Sequence, residues 1–186
     1  MAKVIRFSSR RGKNMELTGA IKKRRSIRQF KSDSIDDKII MKIIELGNLA
    51  PSAGNLQPRD FIVVTNKDQR FALAKAALNQ TFVYEAPVVI VVCANYERAA
   101  SYGSRGKDLY CIQDSAAAVE NMLLAIVDFG LASCWVGAFN EKQVSQILSL
   151  PSHIRPVALL PIGYSNEDIK STYRINLDEL VHYNRW

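Results

Sequence analysis

The chain has 186 residues, of which 48% are apolar, and a formal charge of +7. This length and apolar content fit one globular domain and exclude a largely disordered chain. The charge excess lies at the start, because ten basic residues and one acid occur through Arg28, whereas fifteen bases face seventeen acids from Gln29 onward. Nucleic-acid binders usually spread basic residues over one folded face. A non-catalytic nucleic-acid-binding module therefore remains only a remote alternative.

The three cysteines, Cys93, Cys111 and Cys134, are far apart in the sequence. An odd number without close spacing argues against a disulfide framework or a zinc cluster, so we expect reduced, buried thiols and no metal. The N-terminus lacks the apolar core of a signal peptide, and the longest strongly apolar run, residues 87–94, is too short to cross a bilayer. We therefore expect a cytoplasmic protein with no membrane partner.

Apolar periodicity and turn residues predict the elements in chain order. They are a basic arm (1–14), a short helix (15–25), a helix that Ser34 and Asp37 would begin (34–49), a loop (51–58), a strand (61–65), a helix (68–78), a strand buried on both faces (87–94), a mobile loop or lid (95–109), an almost entirely apolar helix (114–129), a strand (131–136), a helix (141–148), a strand (156–162) and a polar tail with aromatic residues (163–186). This order favours an α/β or α+β fold with four or five strands.

Several catalytic motifs are absent from the sequence. It has no G-x-G-x-x-G, no P-loop and no G-x-S-x-G nucleophile elbow. The two histidines, His153 and His182, occur late, and a surface position is the more ordinary interpretation of His153. With so little acid–base or nucleophilic apparatus, an enzyme of this sequence would leave the difficult chemistry to an organic cofactor.

Two segments carry groups suited to a phosphorylated heterocycle. RRSIRQF (24–30) interleaves arginines with Ile27 and Phe30, a pattern typical of a segment packed at the edge of a core, and guanidinium groups bind phosphate bidentately. The alternative is a basic helix end. APSAGNLQP (50–58) places hydroxyl and amide side chains in one loop, where they could hydrogen-bond a heterocycle. The alternative is a turn-rich connection from helix to strand.

Two further segments are weaker indications of a binding site when each is taken alone. CWVGAF (134–139) ends a strand at Gly137, where backbone N–H groups could donate to a flat ligand, although an ordinary corner would look the same. GYSNEDIKSTYR (163–174) supplies Arg174, which could equally be a solvated residue of the tail.

Together, in order and approximate spacing, the four segments resemble the flavin-dependent nitroreductase family. The resemblance runs from about residue 21 to residue 186 and includes the ending RINLDELVHYNRW. It implies an α+β fold, an α/β sandwich with a central, mostly antiparallel sheet flanked by helices. It also implies an intertwined homodimer with one FMN at each of two subunit interfaces. Residues 15–186 would form a single FMN-binding domain, with 164–186 as an arm on the partner subunit and the basic arm 1–14 outside the resemblance.

The resemblance also implies roles for particular residues. The FMN phosphate and ribityl chain would be held by Arg24, Arg25, Ser26, Arg28 and Arg174. The isoalloxazine would be reached from the partner subunit by Pro51, Ser52, Ala53, Asn55 and Gln57. Gly137 and Ala138 would place a backbone donor near flavin N5, and Gln80 would contact the ring or ribityl chain. Lys22, Lys23 and Lys31 would be solvated.

The implied activity is ping-pong transfer of hydride from NADH or NADPH through flavin N5 to a nitroaromatic, quinone or related acceptor. An alternative keeps the fold and flavin for another reductive reaction, dehalogenation or flavin fragmentation. Dehalogenating members are expected to carry an acid, a tyrosine and a lysine in a lid, and Tyr96, Glu97, Tyr102 and Lys107 are candidates without a secure order. The sequence assigns no catalytic side chain.

Overall fold

The computed structural model describes residues 16–167 and 172–186. The predicted basic arm, residues 1–14, lies outside the described residues. The helices are α1 (Leu17–Lys23), α2 (Asp37–Asn48), α3 (Lys67–Ala76), α4 (Phe82–Glu85), α5 (Gly103–Arg105), α6 (Cys111–Asp128) and α7 (Glu141–Ile147). The strands are β1 (Arg59–Val64), β2 (Val88–Asn95), β3 (Ala132–Ser133) and β4 (Ile154–Gly163). Single 3₁₀ turns span Ala53–Asn55, Ala100–Tyr102 and Leu177–Glu179, and a π-helical turn spans Gly106–Tyr110.

The four strands form one antiparallel sheet in the order β1-β2-β4-β3. The central strand β2 is buried along all eight residues, as its continuous β-branched sequence predicts. Alternate residues of β2 enter two separate cores, Ile90 on one face and Val91 on the other. Helices α2 and α6 cover the first face, and α3, α4 and α7 cover the second. The predicted α+β sandwich with an antiparallel sheet is confirmed.

Helices α2 and α6 pack closely because α2 carries a glycine at the crossing. A Cβ on Gly47 would overlap the Met122 side chain and lie 3.3 Å from the Ala118 carbonyl oxygen. Met122 is fully buried, so it has little room to withdraw. This contact fixes α2, and with it the loop that follows α2, against the long helix α6.

The start of α2 differs from the prediction. The N-cap is Asp36, not Ser34, and its carboxylate accepts a hydrogen bond of 2.8 Å from the Lys38 N–H. Ile35 and Ile40, on either side of the cap, are both buried in the same core, which is the arrangement of a hydrophobic staple. A cap at Ser34 would displace this apolar pair.

The predicted strand 131–136 is shorter than expected. Ser133 pairs with Ile162, and Val136 pairs with Leu159 as an isolated bridge in the same register. That register places Cys134 opposite Pro161, and a proline has no N–H to donate. The ladder is therefore interrupted between two short pairings.

The predicted lid, residues 95–109, contains more regular structure than expected. Three short helical turns, Ala100–Tyr102, Gly103–Arg105 and Gly106–Tyr110, lead directly into α6. Within the described residues, no helix combines the length and apolar character that a membrane crossing requires.

Candidate functional site

The segment that follows α1 is anchored by its apolar residues and leaves its arginines facing outward. Ile27 is buried, and its N–H donates to the Ser133 carbonyl at 3.0 Å, beside a parallel bridge between Ser26 and Ser133. Phe30 packs against the core on the α3 side of the sheet. The predicted packing of Ile27 and Phe30 is confirmed, and it fixes the backbone from which Arg28 projects.

This segment forms one wall of a cavity of about 420 Å³. The second wall comes from the segment after β4. The lining residues are Arg24, Arg25, Ser26, Ile27, Arg28, Glu167, Thr172 and Arg174. The structure thus brings the five residues predicted to bind phosphate, Arg24, Arg25, Ser26, Arg28 and Arg174, into one cavity, which we call the arginine pocket.

Two arginines of the pocket are oriented by contacts inside the chain. The Arg28 guanidinium lies 5.8 Å from the centroid of the Phe82 ring, a cation–π distance. Arg174 donates from Nη1 to the Thr172 hydroxyl and to the Tyr173 carbonyl, both at 2.8 Å. Four guanidinium charges in one cavity repel one another, so an anion bound there is stabilised electrostatically.

Cys134 lies next to the arginine pocket. Burial raises the pKa of its thiol, while Arg28, the Ser26 hydroxyl and Arg24 act in the opposite direction. Because burial is the largest cause, the structure describes a protonated packing residue and not a reactive thiolate.

The loop 50–58 has a constrained backbone. Gly54, Asn55 and Gln57 adopt positive φ angles of 56°, 55° and 49°. At Gly54 a Cβ would lie 2.6 Å from the Tyr102 hydroxyl, so the first lid turn touches this loop directly. The Ser52 hydroxyl accepts the Gln57 N–H at 3.0 Å and closes the turn. Positive φ is costly for residues with side chains, and the surrounding contacts must hold it.

Arg59 supplies the main contacts that hold this loop. Its side chain is buried, yet it donates to the carbonyl groups of Asn48 and Ala50 at 2.8 Å. It also donates to the carbonyl groups of Pro51 and Asp114 and to the Asn48 side chain, each at 3.3 Å. Burial lowers the pKa of Arg59, and the Asp114 charge partly offsets this. One guanidinium thus ties the end of α2 and the loop to α6.

Asp114 completes this arrangement. Its carboxylate accepts the Ala53 N–H at 3.1 and 3.3 Å. Burial raises the pKa of the Asp114 carboxyl, whereas the Ala53 N–H and the Arg59 charge lower it. The sequence analysis missed both Arg59 and Asp114. Their only signal was a charged residue at the start of an apolar strand and another on an almost entirely apolar helix.

Gln80, Gly137 and Ala138 meet where the chain leaves the sheet after Val136. The Gln80 amide donates to the Ala138 carbonyl at 3.1 Å and to the Ala77 carbonyl at 2.8 Å. Gln80 is two residues from Phe82, over which Arg28 lies, so this corner adjoins the arginine pocket. The structure brings the predicted Gln80 and Ala138 into direct contact.

The predicted site residues therefore fall into two groups within the chain. Considering residues 16–167 and 172–186, the lining of the arginine pocket includes none from the loop 50–58. The loop is exposed at Asn55, and Pro51 is exposed as well. The arginine pocket and the loop are thus separate surfaces of the chain, each preformed by contacts within it.

The sandwich fold and the separate arginine pocket together describe a small α+β protein in which four arginines line one cavity. The model of the Nitroreductase family matches residues 21–83 and 72–164, which is most of the chain. The chain therefore belongs to the Nitroreductase family, and the predicted family membership is confirmed.

Individual relatives agree with this assignment. The chain is 31% identical to an NADH dehydrogenase of Thermus thermophilus, over 86% of this chain and 91% of that protein. Its fold is similar to that of nitroreductase A from Vibrio parahaemolyticus, with a TM-score of 0.85, 30% identity and coverage of 91% and 76% of the two chains. It is also similar to an NADPH:FMN oxidoreductase of Vibrio harveyi solved with NAD⁺, with a TM-score of 0.85, 28% identity and coverage of 91% and 77%.

Proposed function

We propose that this chain is an FMN-dependent NAD(P)H oxidoreductase that acts as a homodimer on nitroaromatic, quinone or related acceptors. The enzyme class, an NAD(P)H oxidoreductase, follows from membership of the Nitroreductase family. The FMN, the acceptors, the dimer and a cytoplasmic location are the proposed parts. Either NADH or NADPH would serve as reductant.

The convergence of four arginines and a serine on one cavity carries this proposal. FMN ends in a phosphate monoester, and guanidinium forks with a neighbouring hydroxyl are well matched to its oxygens. The cavity volume of about 420 Å³ lies within the range usual for small-ligand sites. The donor set of this structure therefore fits the phosphate end of FMN.

The remaining predicted residues fit the planar end of the same cofactor. The bound flavin would supply the redox chemistry by accepting hydride from the nicotinamide and passing it to the acceptor. Backbone N–H groups at Gly137 and Ala138 would orient one edge of the ring, and Gln80 already contacts Ala138 there. The loop 50–58 would reach the ring from the partner subunit, since it is displayed away from the arginine pocket.

Exposed apolar residues support the proposed dimer. In the C-terminal segment Tyr173 and Tyr183 are each 83% exposed and Trp186 is fully exposed, although such side chains are usually covered. Leu17 and Leu49 are also largely exposed and line a shallow apolar groove between α1, α2 and α6. A partner subunit that covers these surfaces would bring its own loop 50–58 to the arginine pocket.

The dehalogenation alternative has less support from the lid. Lys107 lies over the Tyr96 ring at 5.1 Å, but Glu97 is engaged with His153 at 3.4 Å. Tyr102 instead packs edge-on against Tyr110, with centroids 5.3 Å apart, and contacts Gly54. The four candidate lid residues thus do not converge on one point: Lys107 pairs with Tyr96, while Glu97 and Tyr102 each pair with a residue outside the set. We therefore retain acceptor reduction as the proposed activity.

The test is the absorption spectrum of the purified full chain, followed by release and identification of its chromophore. We expect a yellow protein that releases FMN. The double variant Arg28→Ala/Arg174→Ala should bind FMN on the order of 100-fold more weakly, because two charged hydrogen-bond donors are lost.

The matched control is Lys22→Ala/Lys31→Ala, which removes the same charge from two exposed side chains near the same segment. The control should retain FMN. A colourless chain that does not bind added FMN would refute the proposed cofactor. A fully loaded Arg28→Ala/Arg174→Ala variant would refute the phosphate site alone.

A further inference from the structure

The arginine pocket contains a carboxylate that belongs to the chain itself. Glu167 lies in its lining, and Glu167 Oε2 accepts a hydrogen bond of 3.1 Å from the Arg28 backbone N–H. The N–H of Glu167 donates to the Ser165 hydroxyl at 3.0 Å. This hydrogen bond holds Glu167 in the segment that follows the last residue of β4, Gly163. Among the described residues of the lining, Glu167 is the one acid.

The backbone also holds Glu167 close to residues 24–30, which we call the arginine segment. The Lys31 N–H donates to the Tyr164 carbonyl at 2.8 Å, so the segment after β4 runs beside residues 26–31. Glu167 therefore reaches Arg28 from a neighbouring, hydrogen-bonded segment. These hydrogen bonds position the backbone of this segment, and the Glu167 side chain completes the contact with Arg28.

A carboxylate in this position has the chemistry of the expected ligand. It is an anion that accepts a backbone hydrogen bond among guanidinium groups, as an oxygen of a phosphate monoester would. It places a negative charge beside Arg28 and Arg174 in the cavity, whereas Arg24 also lies 3.8 Å from the Glu120 carboxylate. A bound phosphate and an ionised Glu167 would in turn repel each other, because both would lie in the same pocket.

We propose that Glu167 is the internal counter-ion of the arginine pocket and the residue that sets its affinity for phosphate. When no ligand phosphate is present, Glu167 neutralises part of the arginine charge and occupies the Arg28 N–H. A phosphate monoester that enters the pocket must overcome this carboxylate. Glu167 thus keeps free inorganic phosphate bound weakly and favours a ligand that gains further contacts through its ring. This inference deepens the proposed FMN site and rests on it.

The decisive variant is Glu167→Gln, which preserves an oxygen acceptor for the Arg28 N–H and removes only the charge. Apo-protein is titrated with FMN, with riboflavin, which lacks the phosphate, and with inorganic phosphate. Flavin binding is followed by fluorescence quenching and phosphate binding by calorimetry. We expect about 10-fold tighter binding of FMN and of inorganic phosphate, and unchanged binding of riboflavin.

The matched control is Glu45→Gln, which removes the same charge from an exposed residue of α2 that pairs with Lys42. It should leave all three affinities unchanged. A purely structural role of Glu167 would predict that riboflavin and FMN affinities change together. The chemical shift of the Arg28 amide gives a second readout, since phosphate should move this signal in the wild type and less in Glu167→Gln.

The outcomes separate this inference from the proposed function. If FMN and phosphate bind Glu167→Gln no more tightly than the wild type, the counter-ion role is refuted even when the wild type binds FMN. If neither protein binds FMN or riboflavin, the proposed function is refuted. Inorganic phosphate then still tests Glu167, because it needs only the arginine pocket.

Discussion

Replacement of Arg59 by methionine should strongly destabilise the protein. The change removes the guanidinium hydrogen bonds to Asn48, Ala50, Pro51 and Asp114. It leaves the buried carbonyl groups of Ala50 and Asp114 without this donor. Hydrogen bonds of charged groups contribute about 1.5–3 kcal/mol each, but relief of the buried charge offsets part of the loss. We therefore expect a loss of roughly 3 kcal/mol in the free energy of unfolding, within the range for broken buried ionic networks. For a chain of this size that is a fall of about 6–12 °C in Tm.

The assay is thermal and urea unfolding of the apo-protein, with Arg98→Met as the matched control. Arg98 also contacts the start of β1, through the Asp60 carboxylate at 2.8 Å and the Arg59 carbonyl at 2.7 Å, but its side chain is 45% exposed. Its replacement should cost about 1 kcal/mol or less. If Arg59→Met were no more destabilising than Arg98→Met, the reasoning about the buried guanidinium would be wrong. Under the proposed function, Arg59→Met should also weaken the binding of FMN while leaving the affinity for inorganic phosphate unchanged.

Two further predictions concern titratable groups. Because burial raises the pKa of Asp114 above its ordinary value of 3.8, the folded wild type holds this proton more tightly than the unfolded chain. The free energy of unfolding of the wild type should therefore rise relative to Asp114→Asn as the pH falls from neutral toward 3.8, and urea titrations showing a decrease would contradict this. Burial and, to a smaller extent, the Asp60 charge raise the pKa of the Cys93 thiol from 9.0 to about 12. The free energy of unfolding of the wild type relative to Cys93→Ala should therefore be constant below pH 9 and decline above it. At pH 8 a thiol reagent should label the unfolded chain at all three cysteines and leave native Cys93 unmodified; rapid labelling of Cys93 in the folded protein would show that it is not buried as described.

The elements that could be predicted from sequence are those with a strong local signal. The β-branched run at residues 87–94 predicted β2 to within one residue, because a strand buried on both faces is apolar throughout. The interleaving of Ile27 and Phe30 with arginines correctly predicted a packed segment with a cationic outer side. The residues of the arginine pocket were predicted by resemblance to a family, and the structure brings them together.

The features that escaped prediction depend on contacts between distant segments. The interruption of the strand at residues 131–136 arises from Pro161, which is identified only once the register of β3 and β4 is known. Arg59 donates to carbonyl groups of three earlier residues and of α6, and no local sequence pattern predicts that these groups lie near its side chain. Glu167 lies in a polar segment without periodicity, so its approach to Arg28 was also invisible in the sequence.

Through the bridge between Ser26 and Ser133, the arginine segment covers part of the edge of the sheet. Strand β3 has only two residues and borders the sheet, where unpaired backbone groups could recruit foreign strands. Residues 26 and 27 cover part of that edge, and the charged side chains beside them discourage such additions. Substitutions in this segment can therefore promote self-association of the chain independently of any ligand, and solubility must be followed alongside ligand binding.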